Sequence, residues 1–252
     1  MTAADRTVRD LEGVRILVVG ASSGIGQACA TAAARRGART AIAARRTDLL
    51  DEIASRTGGI ARALDVSDAD EVRRVVGDVA SAMGGLDAVI VTSAVAPFAR
   101  VDETDATTWL HAFSVNSIGV SNVMESALAH LDADATMLIA SAHDVGRPRA
   151  GVAAYNASKA ALNEMLRSWR AERPELSLIR VDVGPTKDTE ILRGADREML
   201  AELWDGWMHS GQVPAQMSAL EDVANTIVSL LAMARANPSV VPEVVALAPR
   251  YR

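Results

Sequence analysis

The chain has 252 residues, 49% of them hydrophobic and 23% charged, with a formal net charge of -6 and one cysteine. A chain of this length can bury one large core without a covalent or metal staple; Cys29 has no intrachain disulfide partner, and His111, His130, His143 and His209 are too scattered for a zinc site. The acidic balance and mixed signs argue against nucleic acid as a partner, and no apolar run approaches the roughly 20 residues of a membrane span, so the expectation is a cytoplasmic protein acting on a small molecule.

The opening MTAADRTVRD lacks the apolar stretch of a secretion leader. Short β-branched runs then alternate with longer alanine-rich segments, the rhythm of repeated β-α units. In chain order the pattern predicts a strand over 15–19, helix 26–36, strand 40–44, helix 47–56, strand 59–64, helix 68–83 and strand 88–91. It continues with helix 105–130, strand 136–140, helix 154–170, strand 177–181, helix 220–234 and strand 244–247. Ser67 and Asp68 offer a start for the third helix, and Asp222 for the last. The strands are almost continuous apolar runs, as expected of a parallel sheet covered on both faces. The expected fold is α/β: a single doubly wound, Rossmann-like domain over 1–252, with about seven parallel strands. The stretch 186–219 is too long for an ordinary strand-to-helix connection and reads as a lid with short helices of its own.

The first strand leads into Gly20-Ala21-Ser22-Ser23-Gly24-Ile25-Gly26 and then a helix. Glycines permit a sharp turn and close backbone approach to a ligand, and the helix's free N–H groups face an anion there. A plain connector is the alternative, against which the strand-loop-helix context weighs. Gly20-x-Ser22-x-Gly24 also fits a hydrolase nucleophile elbow. No glycine-rich oxyanion segment precedes it and no acid and histidine follow convincingly, so Ser22 reads as a phosphate contact.

Tyr155 and Lys159 stand four apart on a predicted helix and share a face. An ammonium beside a phenol of ordinary pKa about 10 favours phenolate and suits it to proton exchange near neutrality. By itself such a pair is commonplace, a core-edge tyrosine with a solvated lysine.

Together, Gly20-x-x-x-Gly24-Ile25-Gly26 and Tyr155-Asn156-Ala157-Ser158-Lys159 resemble the short-chain dehydrogenase/reductase family. Asn116 in Ser114-Val115-Asn116-Ser117, Asp65-Val66 after the third strand and Ser141 after the fifth fall where that family places functional residues. The resemblance implies an oxidoreductase in which Tyr155 protonates a carbonyl oxygen, Lys159 also holds the nicotinamide ribose, Ser141 orients the carbonyl and Asn116 holds a relay water. The cofactor supplies hydride.

The chain departs from the family pattern in three places. Val91-Thr92-Ser93-Ala94 replaces the usual Asn-Asn-Ala-Gly; small residues still admit adenine and ribose, with Thr92 or Ser93 standing in partly for the sheet-bracing asparagine. Ser141 lies fourteen residues before Tyr155, one more than the commonest spacing, which lands on Ala142; a longer turn over 142–146 restores Ser141. His143 and Asp144 beside it read as a polar turn or as substrate contacts. Val183-Gly184 replaces Pro-Gly, leaving Gly184 with Thr186 or Thr189 to hold the nicotinamide amide and phosphates.

An acidic residue ending the second strand would grip the ribose 2′-hydroxyl of NAD. The letters there are Ala43-Ala44-Arg45-Arg46. Arginine holds phosphate by forked, charge-assisted bonds, so the segment predicts NADP(H), with Arg45 the principal contact and Ser22 and Arg46 helpers; a solvated basic turn is the alternative.

Trp204 and Trp207, with Leu192, Met199, Leu203 and Met208, read either as an apolar cover for a hydrophobic or alicyclic ketone or alcohol, or as an amphipathic helix packed on its own core. Val95, Pro97 and Phe98 are expected on the opposite wall. Surplus apolar residues on 105–130 and 154–170 predict a homodimer or homotetramer, as is common in the family. The leading reading is an NADP(H)-dependent oxidoreductase interconverting a carbonyl and a secondary alcohol. Its rivals are a non-catalytic NADP(H)-binding sensor or scaffold, and an enzyme of the same fold using Tyr155 for dehydration, epimerisation or cyclisation.

Overall fold

Seven parallel strands form one sheet in the order β3-β2-β1-β4-β5-β6-β7 in the computed structural model, which describes residues 9–214 and 216–249. They are β1 Arg15–Val19, β2 Arg39–Ala44, β3 Ile60–Ala63, β4 Leu86–Val91, β5 Leu131–Ala142, β6 Ser177–Val183 and β7 Val244–Leu247. The helices are α1 Gly24–Arg35, α2 Thr47–Thr57, α3 Ala69–Met83, α4 Ala106–Phe113, α5 Gly119–Leu128, α6 Ala153–Glu172, α7 Arg197–His209 and α8 Leu220–Ala236. Residues 1–8, Ala215 and 250–252 lie outside the described residues, and the expected lack of a secretion leader falls on the first of these.

Alternation along the strands explains the two-sided core. Leu17 and Val19 join Val72, Val76, Met124 and Leu162 on one face, while Ile16 and Val18 join Ala30, Ala33, Val223 and Ile227 on the other. β1 pairs with β2 on one side and β4 on the other, and the strand order reverses there. Ligands of open α/β sheets bind beyond the carboxyl ends of the strands at such a reversal.

The predicted strands and helices are present, with bounds shifted by a few residues. Asp68 caps α3 by accepting from the backbone N–H groups of Asp70 and Glu71. One predicted helix is different: 105–130 divides into α4, a π-helical turn over Ser114–Ile118, and α5. The wide turn carries Asn116 inward to bond other elements, an irregularity invisible to a 3.6-residue periodicity.

The long excursion after β6 is stitched at its base. Lys187 N–H donates to Ser218 O and Ser218 N–H to Pro185 O, both at 3.0 Å. Within it α7 buries Leu203 and Trp207 against Val152 and Val213, with Phe98 and Tyr155 alongside. No helix among the described residues is long and apolar enough to cross a membrane, and no cluster of metal-ligating side chains stands among them.

Candidate active site

A cavity of about 1360 Å³ opens at the carboxyl ends of β1, β4, β5 and β6. Its first wall is the turn from β1 into α1. Gly20 has φ +88, and a Cβ there would stand 2.4 Å from the Ser93 backbone nitrogen; a Cβ on Gly26 would stand 2.4 Å from Gly20 O. The turn is therefore as close to β4 as backbone can come. No side chain caps α1 at Ser23, so its first N–H groups remain available to an anion. Ser22, Ser23, Gly24 and Ile25 also line the cavity.

Beside this turn Arg45 is exposed at the cavity. Arg46 is held: it donates to Ser22 Oγ from Nε at 3.2 Å and to Ser23 Oγ from Nη2 at 2.6 Å, and pairs with Glu190. Asp65 and Val66 follow β3, and Thr92, Ser93 and Ala94 follow β4, all on the cavity wall. Thr92 Oγ1 donates to Val19 O at 3.1 Å, tying β4 to β1 where the family's asparagine would, whereas Ser93 Oγ is buried without a partner. Gly184, Thr186 and Thr189 line the far side; Thr186 Oγ1 is turned onto Gly184 O at 2.9 Å.

At the other end Ser141, Tyr155 and Lys159 line the same cavity. Ser141 has the strand parity of Met137 and Ile139 and so faces α6. Its hydroxyl donates 2.6 Å to Asn163 Oδ1, and one residue earlier Ala140 O accepts from Lys159 Nζ at 2.9 Å. Tyr155, Lys159 and Asn163 thus form a stripe along α6, one turn apart, docked on the end of β5.

Phe98, expected on the opposite wall, is off the cavity lining and packs edge-on against Trp207; Asn116 is off the lining as well. Its Nδ2 donates to Val95 O at 2.8 Å and Ser158 Oγ at 2.9 Å, and its Oδ1 accepts from Val95 N–H at 2.8 Å. That amide braces the wall from behind, joining Val95 to α6.

The electrostatics differ from the sequence expectation. Burial pushes the Tyr155 phenol up to about 12, and the cation opposing that rise is Arg149. Burial lowers Lys159 to about 8, against the field of Asp182. Arg149 carried no motif and was missed. It lies in the turn before α6, paired with Asp144 and over the ring of Trp207, 5.2 Å from the centroid. His111, Thr107 and Thr108 of α4 also line the cavity unforeseen, because only the folding of α4 brings them there. Trp204 and Trp207 pack in the cluster with Val152 and Val213 and also line the cavity, as does Leu192, whereas Met199, Leu203 and Met208 are not on its wall.

Sheet order, glycine turn and cavity together define a Rossmann-like, doubly wound α/β protein with an open site where the strand order reverses. A family profile described as short chain dehydrogenase matches residues 15–199, and the chain belongs to that family. It is 32% identical over 230 residues to the glycine betaine reductase ATRR of Emericella nidulans, covering 88% of this chain and 18% of that protein. It is 30% identical over 185 residues to an 11-beta-hydroxysteroid dehydrogenase A of Sesamum indicum, covering 69% of this chain and 53% of the relative. The chain therefore spans about a fifth of the first of those relatives and about half of the second. A cis-4-hydroxycyclohexanecarboxylate dehydrogenase of Sinomonas cyclohexanicum is 29% identical over 231 residues, covering 85% of this chain and 87% of the relative. An alcohol dehydrogenase structure from Thermococcus sibiricus, complexed with 5-hydroxy-NADP, superposes with TM-score 0.77 at 23% identity, covering 94% of this chain and 99% of that one.

Proposed function

We propose that the chain is an NADP(H)-dependent oxidoreductase interconverting a ketone and a secondary alcohol on an apolar or alicyclic skeleton. The observation that carries this reading is one continuous cavity bounded by the glycine turn and Arg45 at one end and by Ser141, Tyr155 and Lys159 at the other. Its volume of about 1360 Å³ accommodates a dinucleotide with substrate beyond it. The tight glycines and uncapped α1 terminus fit a pyrophosphate. Arg45, with Arg46 and Ser22, fits a 2′-phosphate, and no carboxylate ends β2 to hold a bare ribose diol. Gly184, Thr186 and Thr189 would hold the nicotinamide end, with Asp65 and Val66 nearer the adenine.

When bound, the reduced cofactor supplies a hydride to the carbonyl carbon. Tyr155 supplies the proton that completes the alcohol at oxygen, and its raised pKa keeps that proton in place at neutral pH. Lys159 places a buried positive charge one turn from the phenol, opposing the negative charge that develops as the proton leaves. Ser141 would orient the carbonyl by donating its hydroxyl hydrogen to the carbonyl oxygen in place of Asn163 Oδ1, which accepts it at 2.6 Å when no substrate is bound. Asn116 contributes by fixing Val95 and α6.

Trp204, Trp207, Val213 and Met217 make the substrate end largely apolar, and the name of the Sinomonas relative is consistent with an alicyclic substrate. The stretch 186–219 would act as the substrate lid. Leu110 and Ile118, 68% and 55% exposed, support a homodimer or homotetramer formed through α4 and its π-helical turn.

The test of the cofactor assignment is Ala44→Asp combined with Arg45→Ala. Preference should move from NADPH toward NADH in binding titrations; unchanged preference would refute the role of Arg45. Tight NADPH binding without turnover of any ketone would favour the sensor reading.

A further inference from the structure

We propose that the substrate carries a carboxylate, received by Arg149 and Trp207 across the pocket from Tyr155. This deepens the oxidoreductase reading and rests on it for the position of the reacting carbonyl.

Apolar side chains of Trp204, Val213 and Met217 line the cavity beside polar ones, among them Thr107, Thr108 and His111 of α4. Arg149 and Trp207 both line it, together with Tyr155 and Asp144. Asp144 pairs with Arg149 through Nη2, which fixes the guanidinium and lowers the cost of holding it out of water. The Arg149 Nε and the Trp207 Nε1, however, are both buried N–H donors with no acceptor. Buried donors are almost always paired, because water is lost and nothing replaces it. Two orphan donors on stacked neighbouring side chains ask for an acceptor with more than one oxygen. A carboxylate answers this best, since guanidinium donates to it in forked, charge-assisted geometry.

The surroundings favour an anion on a flat or cyclic body. Trp207 meets Phe98 edge-on at 6.0 Å and Trp204 at 5.9 Å, making rigid walls. Gln212 Nε2 donates to Pro148 O at 3.2 Å, so the lid stretch and the arginine's own turn are held together. Burial lowers the pKa of Arg149 without removing its charge at neutral pH, the condition under which a charged partner is bound most selectively.

The experiment is calorimetric titration of the protein, with and without NADP+, using benzoate and its neutral isostere benzamide. Benzoate should bind at least about tenfold more tightly than benzamide. Arg149→Met should abolish that difference, and Trp207→Phe, which keeps the ring and removes the N–H, should weaken benzoate alone. No preference for benzoate in the unmodified protein, or equal losses for both probes in Arg149→Met and Trp207→Phe, would overturn the proposal. The readout is independent of turnover: a benzoate preference that depends on Arg149 supports the site even if no ketone is reduced, and its absence overturns the site even if ketones are.

Discussion

The Arg46 guanidinium donates 2.6 Å to the carboxylate of Glu190, so a residue from the stretch after β6 sits on a cation assigned to the extra phosphate of NADP(H). A 2′-phosphate drawn to Arg46 meets that carboxylate as a competitor. The pair is partly exposed, 30% and 46%, so its strength is modest. Glu190→Gln should tighten NADPH by about two- to fivefold, the equivalent of a surface ion pair, and leave NADH unchanged. Fluorescence titration with both cofactors checks this, and equal shifts would show that Glu190 does not compete with the phosphate.

The buried phenol and ammonium set opposite pH dependences for the two directions. Tyr155, raised to about 12, keeps its proton over the working range, while Lys159, lowered to about 8, loses its charge above that value. Ketone reduction should be flat below pH 8 and fall above it; alcohol oxidation, which needs phenolate, should gain with rising pH. For stability the sign follows from the depressed lysine: its buried charge costs stability at pH values below about 8, and the cost is relieved as pH rises toward its ordinary 10.5. Lys159→Met should therefore raise the melting temperature more at pH 7 than at pH 10, and abolish the break in the reduction profile.

Gly20→Ala should destabilise the protein by about 1–3 kcal/mol, because the position has positive φ and the new Cβ meets backbone of the β4 turn, which cannot swing aside. Urea unfolding measures it. NADPH binding should weaken as well, since the displaced turn forms the phosphate wall.

Asn163 is a positioning residue for Ser141, whose hydroxyl it holds at 2.6 Å. Asn163→Ala and Ser141→Ala should lower kcat to similar extents with little change in the KM for NADPH, and the double variant should be no worse than either single one. Additive losses would place the two residues in separate roles.

Much of this architecture was readable from the residues. The central apolar runs marked their strands because both faces of a parallel sheet are covered there, while the edge strands β3 and β7 are partly exposed and were marked by their place in the rhythm. Glycine spacing located the turn after β1, and the four-residue step from Tyr155 to Lys159 located the stripe on α6. What escaped was whatever depends on the fold bringing distant residues together. Arg149 stands alone in a turn, and its importance arises from Trp207 and Asp144 meeting it. The π-helical turn at Asn116 breaks the helix through side-chain bonds to Val95 and Ser158, which no local pattern announces. The upward shift of the Tyr155 phenol, opposite to what a neighbouring ammonium alone would give, comes from burial, with Arg149 the opposing cation, and burial depends on packing that no local spacing announces.

The most direct test of the central claim is NADPH oxidation with a panel of cyclic ketones, comparing the unmodified protein with Tyr155→Phe. The expected result is turnover by the unmodified protein and a loss of at least about a hundredfold in the variant, with NADPH affinity preserved. Turnover that survives unchanged in Tyr155→Phe would contradict the assignment of the phenol as proton donor.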